Sequence, residues 1–223
     1  MPKEEIDAEI ERLSGIAAPN NGIRRTYFVH PKAEEGLLSF TPGMSCSLDV
    51  LLPGEETAYV RENASLVNFP ILGGGQMAMG EAIFDVKQYD VLTTPAMTVH
   101  KYINNTDSVQ ARFRYSNQPM LDRLKIHWLD EDPPVPGAEN NDVTDTAEEA
   151  GDSPKSPFGT FQLTDDGAFL KPYEELINPE PIEINPHSWP WGNVKEELDK
   201  LAALGSKYKG RRLYLLYDPS TGR

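Results

Sequence analysis

Histidine occurs at only four positions, His30, His100, His127 and His187. His100 ends the run Pro95-Ala96-Met97-Thr98-Val99-His100, with Asn104 four residues on. Inside a β-rich core such a histidine could be one ligand of a divalent ion, but metal sites of this kind use three protein ligands, and a buried histidine bonded to a carboxylate is the commoner case. The other three histidines read as structural or surface groups. Arg112 and Arg114 alternate with Phe113 and Tyr115, and the period-two geometry of a strand puts both guanidinium groups on one face. That face could capture the carboxylate of an aromatic acid. Against 35 Asp and Glu residues, pairing with internal carboxylates is the expectation with more support. Tyr59, Tyr89 and Tyr102 read as core aromatics. Gly73-Gly74-Gly75 is a tight turn, since no Lys-Ser/Thr follows it as a phosphate loop requires. Cys46 lies in an apolar run without a neighbouring base and reads as inert.

Composition narrows the partners. A net charge of −14 and the lack of any Lys/Arg stripe exclude nucleic acid, whose phosphates would be repelled. The single cysteine allows no intrachain disulfide, which fits a reducing cytoplasm. The start, MPKEEIDAEIERL, is charged and amphipathic, and no run of eighteen apolar residues occurs, so a soluble cytoplasmic protein without a membrane partner is expected.

The elements that must hold these residues can be read from periodicity. Ile6, Ile10 and Leu13 recur at helical spacing, predicting a short helix over residues 3 to 14 that stops near Gly15. From Gly43 the pattern becomes short β-rich runs: Ser45–Leu52, Leu66–Leu72, Ala82–Val86, Val91–Thr94, Thr98–Ile103 and Val109–Tyr115. Strands this closely spaced require tight turns and predict an antiparallel sandwich or barrel. Residues 130 to 152 carry nine acidic residues and no Lys or Arg, predicting a flexible acidic loop over 130–157. Short strands at Phe158–Leu163 and Ala168–Leu170, a helix over Asn193 to Leu204 and a final strand, Arg211–Tyr217, complete the expectation.

Two separated motifs resemble the gentisate 1,2-dioxygenase family. Asp90, Pro95, His100 and Asn104 match the second cupin motif, whose two glycines fall on Tyr89 and Met97. Pro53-Gly54-Glu55 through Gly73-Gly74-Gly75 is similar to the family's PGE, HRHT and LRF stretch. There the two iron histidines fall on Val60 and Glu62, a strand arginine on Asn68, a further histidine on Tyr102 and an aspartate on Arg114. His187-Ser188-Trp189-Pro190-Trp191, a Leu-containing helix and Leu213 through Gly222 resemble the segment joining that family's two cupin barrels.

The resemblance implies an all-β double-stranded β-helix, the cupin or jelly-roll barrel, over 43–129. An N-terminal helix and arm would occupy 1–42 and a connector-like extension 158–223. It also implies a ring-cleaving Fe(II) dioxygenase ancestry. His100 and Glu62 are then the candidate metal residues, and Arg112, Arg114, Asn68 and Tyr102 the candidate substrate contacts. With two ligand positions and the arginine anchor replaced, the expected function is a non-catalytic cupin that serves as scaffold or partner for a catalytic one. A working dioxygenase for a hydroxylated aromatic acid, and a metal-free small-molecule binder, are the alternatives. A homo-oligomer or a second cupin domain is the expected partner.

Overall fold

The computed structural model describes residues 2–137, 161–162, 169–170, 185–203 and 213–217. They form α1 (Lys3–Ser14), β1 (Arg24–Tyr27), β2 (Ser45–Leu51), β3 (Arg61–Glu62), β4 (Leu66–Leu72), β5 (Gly75–Met79), β6 (Ala82–Val86), β7 (Val91–Thr94), β8 (His100–Ile103), β9 (Gln110–Ser116), α2 (Gln118–Arg123), β10 (Leu129–Asp130), β11 (Phe161–Gln162), β12 (Phe169–Leu170), β13 (His187–Trp189) and α3 (Trp191–Ala203). The chain divides into two compact units, residues 1–138 with 184–223, and residues 139–183. In the second unit β11 and β12 pair antiparallel.

The first unit is a β-barrel of cupin type. A six-stranded antiparallel sheet, ordered β1-β2-β9-β4-β7-β13, accompanies a three-stranded sheet, β6-β5-β8. Alternation sorts the side chains into two layers. Leu48, Val50 and Ala111 pack on Ile10 and Leu13 of α1, so the helix covers the outer face of β2 and β9. Leu51, Leu92, Met77, Met79 and Tyr102 form the inner cluster. Having both faces covered makes every residue of β2 buried, Asp49 included.

Special turns hold the register. Gly73 has φ of +66°, and a Cβ there would meet the Val109 carbonyl oxygen at 2.3 Å, so glycine is required where β4 gives way to β5. Asn104 donates to the carbonyls of Leu51 at 3.1 Å and Ser108 at 2.8 Å, and accepts from the Thr106 N–H. Its place in the motif is therefore structural. Tyr89 and Met97, where the family carries glycines, have φ of 72° and 69°. The backbone retains the glycine conformation after the glycines are gone, at roughly 1–3 kcal/mol of strain apiece. Met97 is held there by its N–H donating to the Glu62 carbonyl at 2.7 Å.

Most expected elements occur within a residue or two, and some differ. Leu213–Tyr217 lies outside any strand and is exposed throughout. Its apolar residues would hold a strand only against a partner edge, which no described strand supplies. β1, β3, β5, α2, β10 and β13 lack a clear sequence signal. β13 forms because it pairs with β7, an edge the local pattern does not reveal. Most of the acidic stretch 130–157 lies outside the described residues. Among the described residues no helix is long and apolar enough to cross a membrane.

Candidate functional site

The inner face of the large sheet carries charge. Asp49 of β2 stands opposite Arg25 of β1 and Arg112 of β9, while Arg114 stands opposite Asn68 of β4. The expected common face of Arg112 and Arg114 thus turns inward, and both are nearly inaccessible. A charge in such a place needs a partner, because desolvation otherwise disfavours it by several kcal/mol.

Each guanidinium has one. Arg25 makes a bidentate pair with Asp49, both contacts at 2.7 Å. Arg112 reaches the same carboxylate at 3.5 Å, donates to Gln110 Oε1 at 2.8 Å and lies 3.4 Å from the Tyr102 ring centroid. Burial alone would raise the Asp49 carboxyl. The Arg25 guanidinium, backed by Arg112 and Arg114, outweighs it and holds the group at about 2. Arg114 donates to Glu62 Oε1 from Nη2, and both side chains are 5% exposed. His127 stands 3.7 Å from the other Glu62 oxygen and 3.3 Å from Asp122.

His100 is buried, and its Nδ1 lies 3.0 Å from the Thr98 carbonyl. Here the expectation of a histidine bonded to a carboxylate is corrected: Glu62 is turned to Arg114, whose guanidinium offers a charge-assisted bond that a neutral imidazole does not. Burial pushes the imidazole down to about 4, against the opposing pull of the Thr98 carbonyl and Glu62. The folded state therefore keeps His100 neutral while the unfolded chain protonates it, so stability falls as pH drops from about 6.5 to about 4. Urea titrations across that window are expected to show this slope, and His100→Gln to remove it; an unchanged slope in the variant would refute the assignment.

Tyr102 and Asn68 satisfy each other, the phenol donating to Asn68 Oδ1 at 2.9 Å, with Asn68 Nδ2 3.5 Å from Thr94 Oγ1. The cavity beside them, bordered also by Met77, Leu92, Gln110 and Arg112, measures about 10 Å³. That is room for one water, whereas small-molecule sites usually exceed about 300 Å³. Cys46 is buried and its thiol is pushed up to about 11 by burial, as an inert cysteine requires.

The donor set does not fit a facial-triad iron. Val60, at one of the family's ligand positions, bears no donor atom, and Glu62 is held by a guanidinium whose positive charge opposes a cation in the same place. Among the described residues no group of three or more His, Cys, Asp or Glu side chains is arranged to hold a metal. Sequence reading missed Asp49, Arg25 and Gln110. The signal was the single acid in SCSLDVL, since a carboxylate inside a wholly buried strand demands a cationic partner.

The two antiparallel sheets and their buried interior define a cupin-type barrel domain. No family model matches the chain. It is 25% identical over 118 residues to 5-nitrosalicylic acid 1,2-dioxygenase of a Bradyrhizobium species, an alignment covering 51% of this chain and 57% of that protein. Its fold matches salicylate 1,2-dioxygenase from Pseudaminobacter salicylatoxidans at a TM-score of 0.67 and 17% identity, over 96% of this chain and 59% of that one. The same enzyme described with gentisate adducts matches at 0.67 and 17%, over 98% and 57%. The chain thus spans under two thirds of the length of these relatives, and the likeness to the solved structures concerns the fold.

Proposed function

We propose that this chain is a non-catalytic cupin domain of dioxygenase ancestry that serves as a scaffold or partner for a catalytic cupin. The observation supporting this is the buried Arg114–Glu62 pair. It places a fixed cation beside the carboxylate that an iron site would need, so the Glu62 charge is already balanced by a protein group. Arg112 and Arg114 are then structural counter-ions and not carboxylate receptors, and Tyr102 with Asn68 closes the space a substrate ring would occupy.

One observation favours a second reading, an Fe(II)-dependent dioxygenase for a hydroxylated aromatic acid. A proton on His100 Nδ1, donated to Thr98, leaves the Nε2 lone pair as the ligand, the arrangement metal-binding histidines commonly use. Bound iron would supply oxygen activation, with Glu62 released from Arg114 to join His100 and an arginine freed for the carboxylate. A metal-free binder of small aromatic acids would need a cavity much larger than the one beside Tyr102.

Oxygen uptake distinguishes the first two. With Fe(II) supplied, and salicylate, gentisate or 5-nitrosalicylate added, the scaffold reading expects no consumption above buffer. Turnover that disappears in His100→Ala would establish the enzyme instead.

A further inference from the structure

We infer that β6 is a dimer edge: a second copy of this chain pairs its own β6 antiparallel with it, in the register that sets Phe84 opposite Phe84 of the second copy. The contact needs neither iron nor turnover, so it stands or falls apart from the scaffold role proposed above.

The open edge is the first observation. β6 ends the three-stranded sheet β6-β5-β8, and among the described residues only β5 pairs with it. The two strands meet across the turn Gly80-Glu81, with Met79 opposite Ala82. In a hairpin this tight the residues flanking the turn share the hydrogen bonds, and alternation then commits the backbone of Ala82, Phe84 and Val86 to β5. The N–H and C=O groups of Ile83 and Asp85 are left facing outward. Ile83 is 65% exposed. An unpaired edge carrying such a side chain is a template for another strand.

Charge is the second. Glu81 and Lys87 lie at equal spacing on either side of Phe84. Both are exposed, and neither side chain makes an ion pair among the described residues, whereas Asp85 accepts from Gln76 Nε2 at 2.9 Å. With Phe84 at the two-fold axis, Glu81 of each copy stands opposite Lys87 of the other. The outward backbones of Ile83 and Asp85 then meet as hydrogen-bonded pairs, and Ile83 lies diagonal to Ile83 of the second copy, close enough for the two to cover each other. Phe84, which packs on the inner cluster, meets its counterpart on the opposite face of the ribbon.

The neighbouring registers fail. Centring the pair on Ile83 sets Glu81 against Asp85, and centring it on Asp85 sets that carboxylate against its own copy. A one-residue slip sets the outward groups against residues whose hydrogen bonds are already made to β5. In a chain of net charge −14, a contact that joins unlike charges at both ends selects this docking among surfaces that otherwise repel. Because both copies contribute the same edge, the contact closes a two-fold dimer and leaves no edge for a third strand.

Sedimentation velocity on the full chain over a concentration series tests this by charge reversal. The wild type is expected to dimerise, with the Ile83 and Asp85 amides exchanging more slowly with solvent in the dimer. Glu81→Lys and Lys87→Glu are each expected to weaken association by about tenfold, since either one turns both attractive pairs of the dimer into repulsive ones. An equimolar mixture of the two variants restores unlike charge at both ends, so dimer near the wild-type level is expected, as it is for the double variant. Both positions are exposed, and unchanged thermal melting verifies that folding is intact. A monomeric wild type, association that neither substitution weakens, or a mixture no better than either variant alone would overturn the inference.

Discussion

Arg114→Met is expected to destabilise the folded chain by about 3–5 kcal/mol, because it takes from the Glu62 carboxylate its guanidinium partner in a nearly dry interior. Arg114 and Glu62 are each 5% exposed, so water cannot take the guanidinium's place. Most of that loss comes from the carboxylate left behind and not from the pair's own attraction. Pairing Arg114→Met with Glu62→Gln should therefore recover the larger part of it. Urea denaturation of the wild type, both single variants and the double variant gives the full cycle. A loss below about 1 kcal/mol for Arg114→Met, the range of exposed pairs, would contradict the central place given to this contact.

Asp49→Asn should be comparably damaging, at about 3–5 kcal/mol, since one carboxylate serves both Arg25 and Arg112. It also carries a pH signature. The Asp49 carboxyl sits at about 2 in the folded state and at about 3.8 without its surroundings. Its contribution is fully present above the unfolded value and is lost as pH falls through the folded one. Acid unfolding of the wild type should steepen over that interval. The asparagine variant is less stable at neutral pH but should lose less on further acidification, and parallel acid limbs for the two proteins would refute the role assigned to Asp49.

How much of this was legible in the sequence follows from what each signal requires. α1 was readable because its apolar residues repeat at one helical spacing, and β4, β6 and β7 because β-rich runs end at marked turns. The Pro95–Asn104 motif located His100, and the glycine positions of the motif fell on residues whose backbone is indeed left-handed. The common inward face of Arg112 and Arg114 followed from alternation alone. Their partners did not, because pairing Asp49 with Arg112 and Arg25 is a matter of register between strands far apart in sequence. For the same reason Glu62 looked like a partner for His100: both are buried in the barrel, and only the three-dimensional register shows that Arg114 lies nearer. β13 depended on β7 and could not be read from three residues. The segment at Leu213–Tyr217 has the composition of a strand, but among the described residues no strand pairs with it.

In the reading proposed above, the Arg114–Glu62 pair fills the place where a cupin of this type would hold iron. The most direct measurement is metal content after anaerobic incubation with excess Fe(II) and desalting. The account predicts far less than one iron per chain, and no change in melting temperature on adding Fe(II). One iron per chain, lost in His100→Ala, would contradict it.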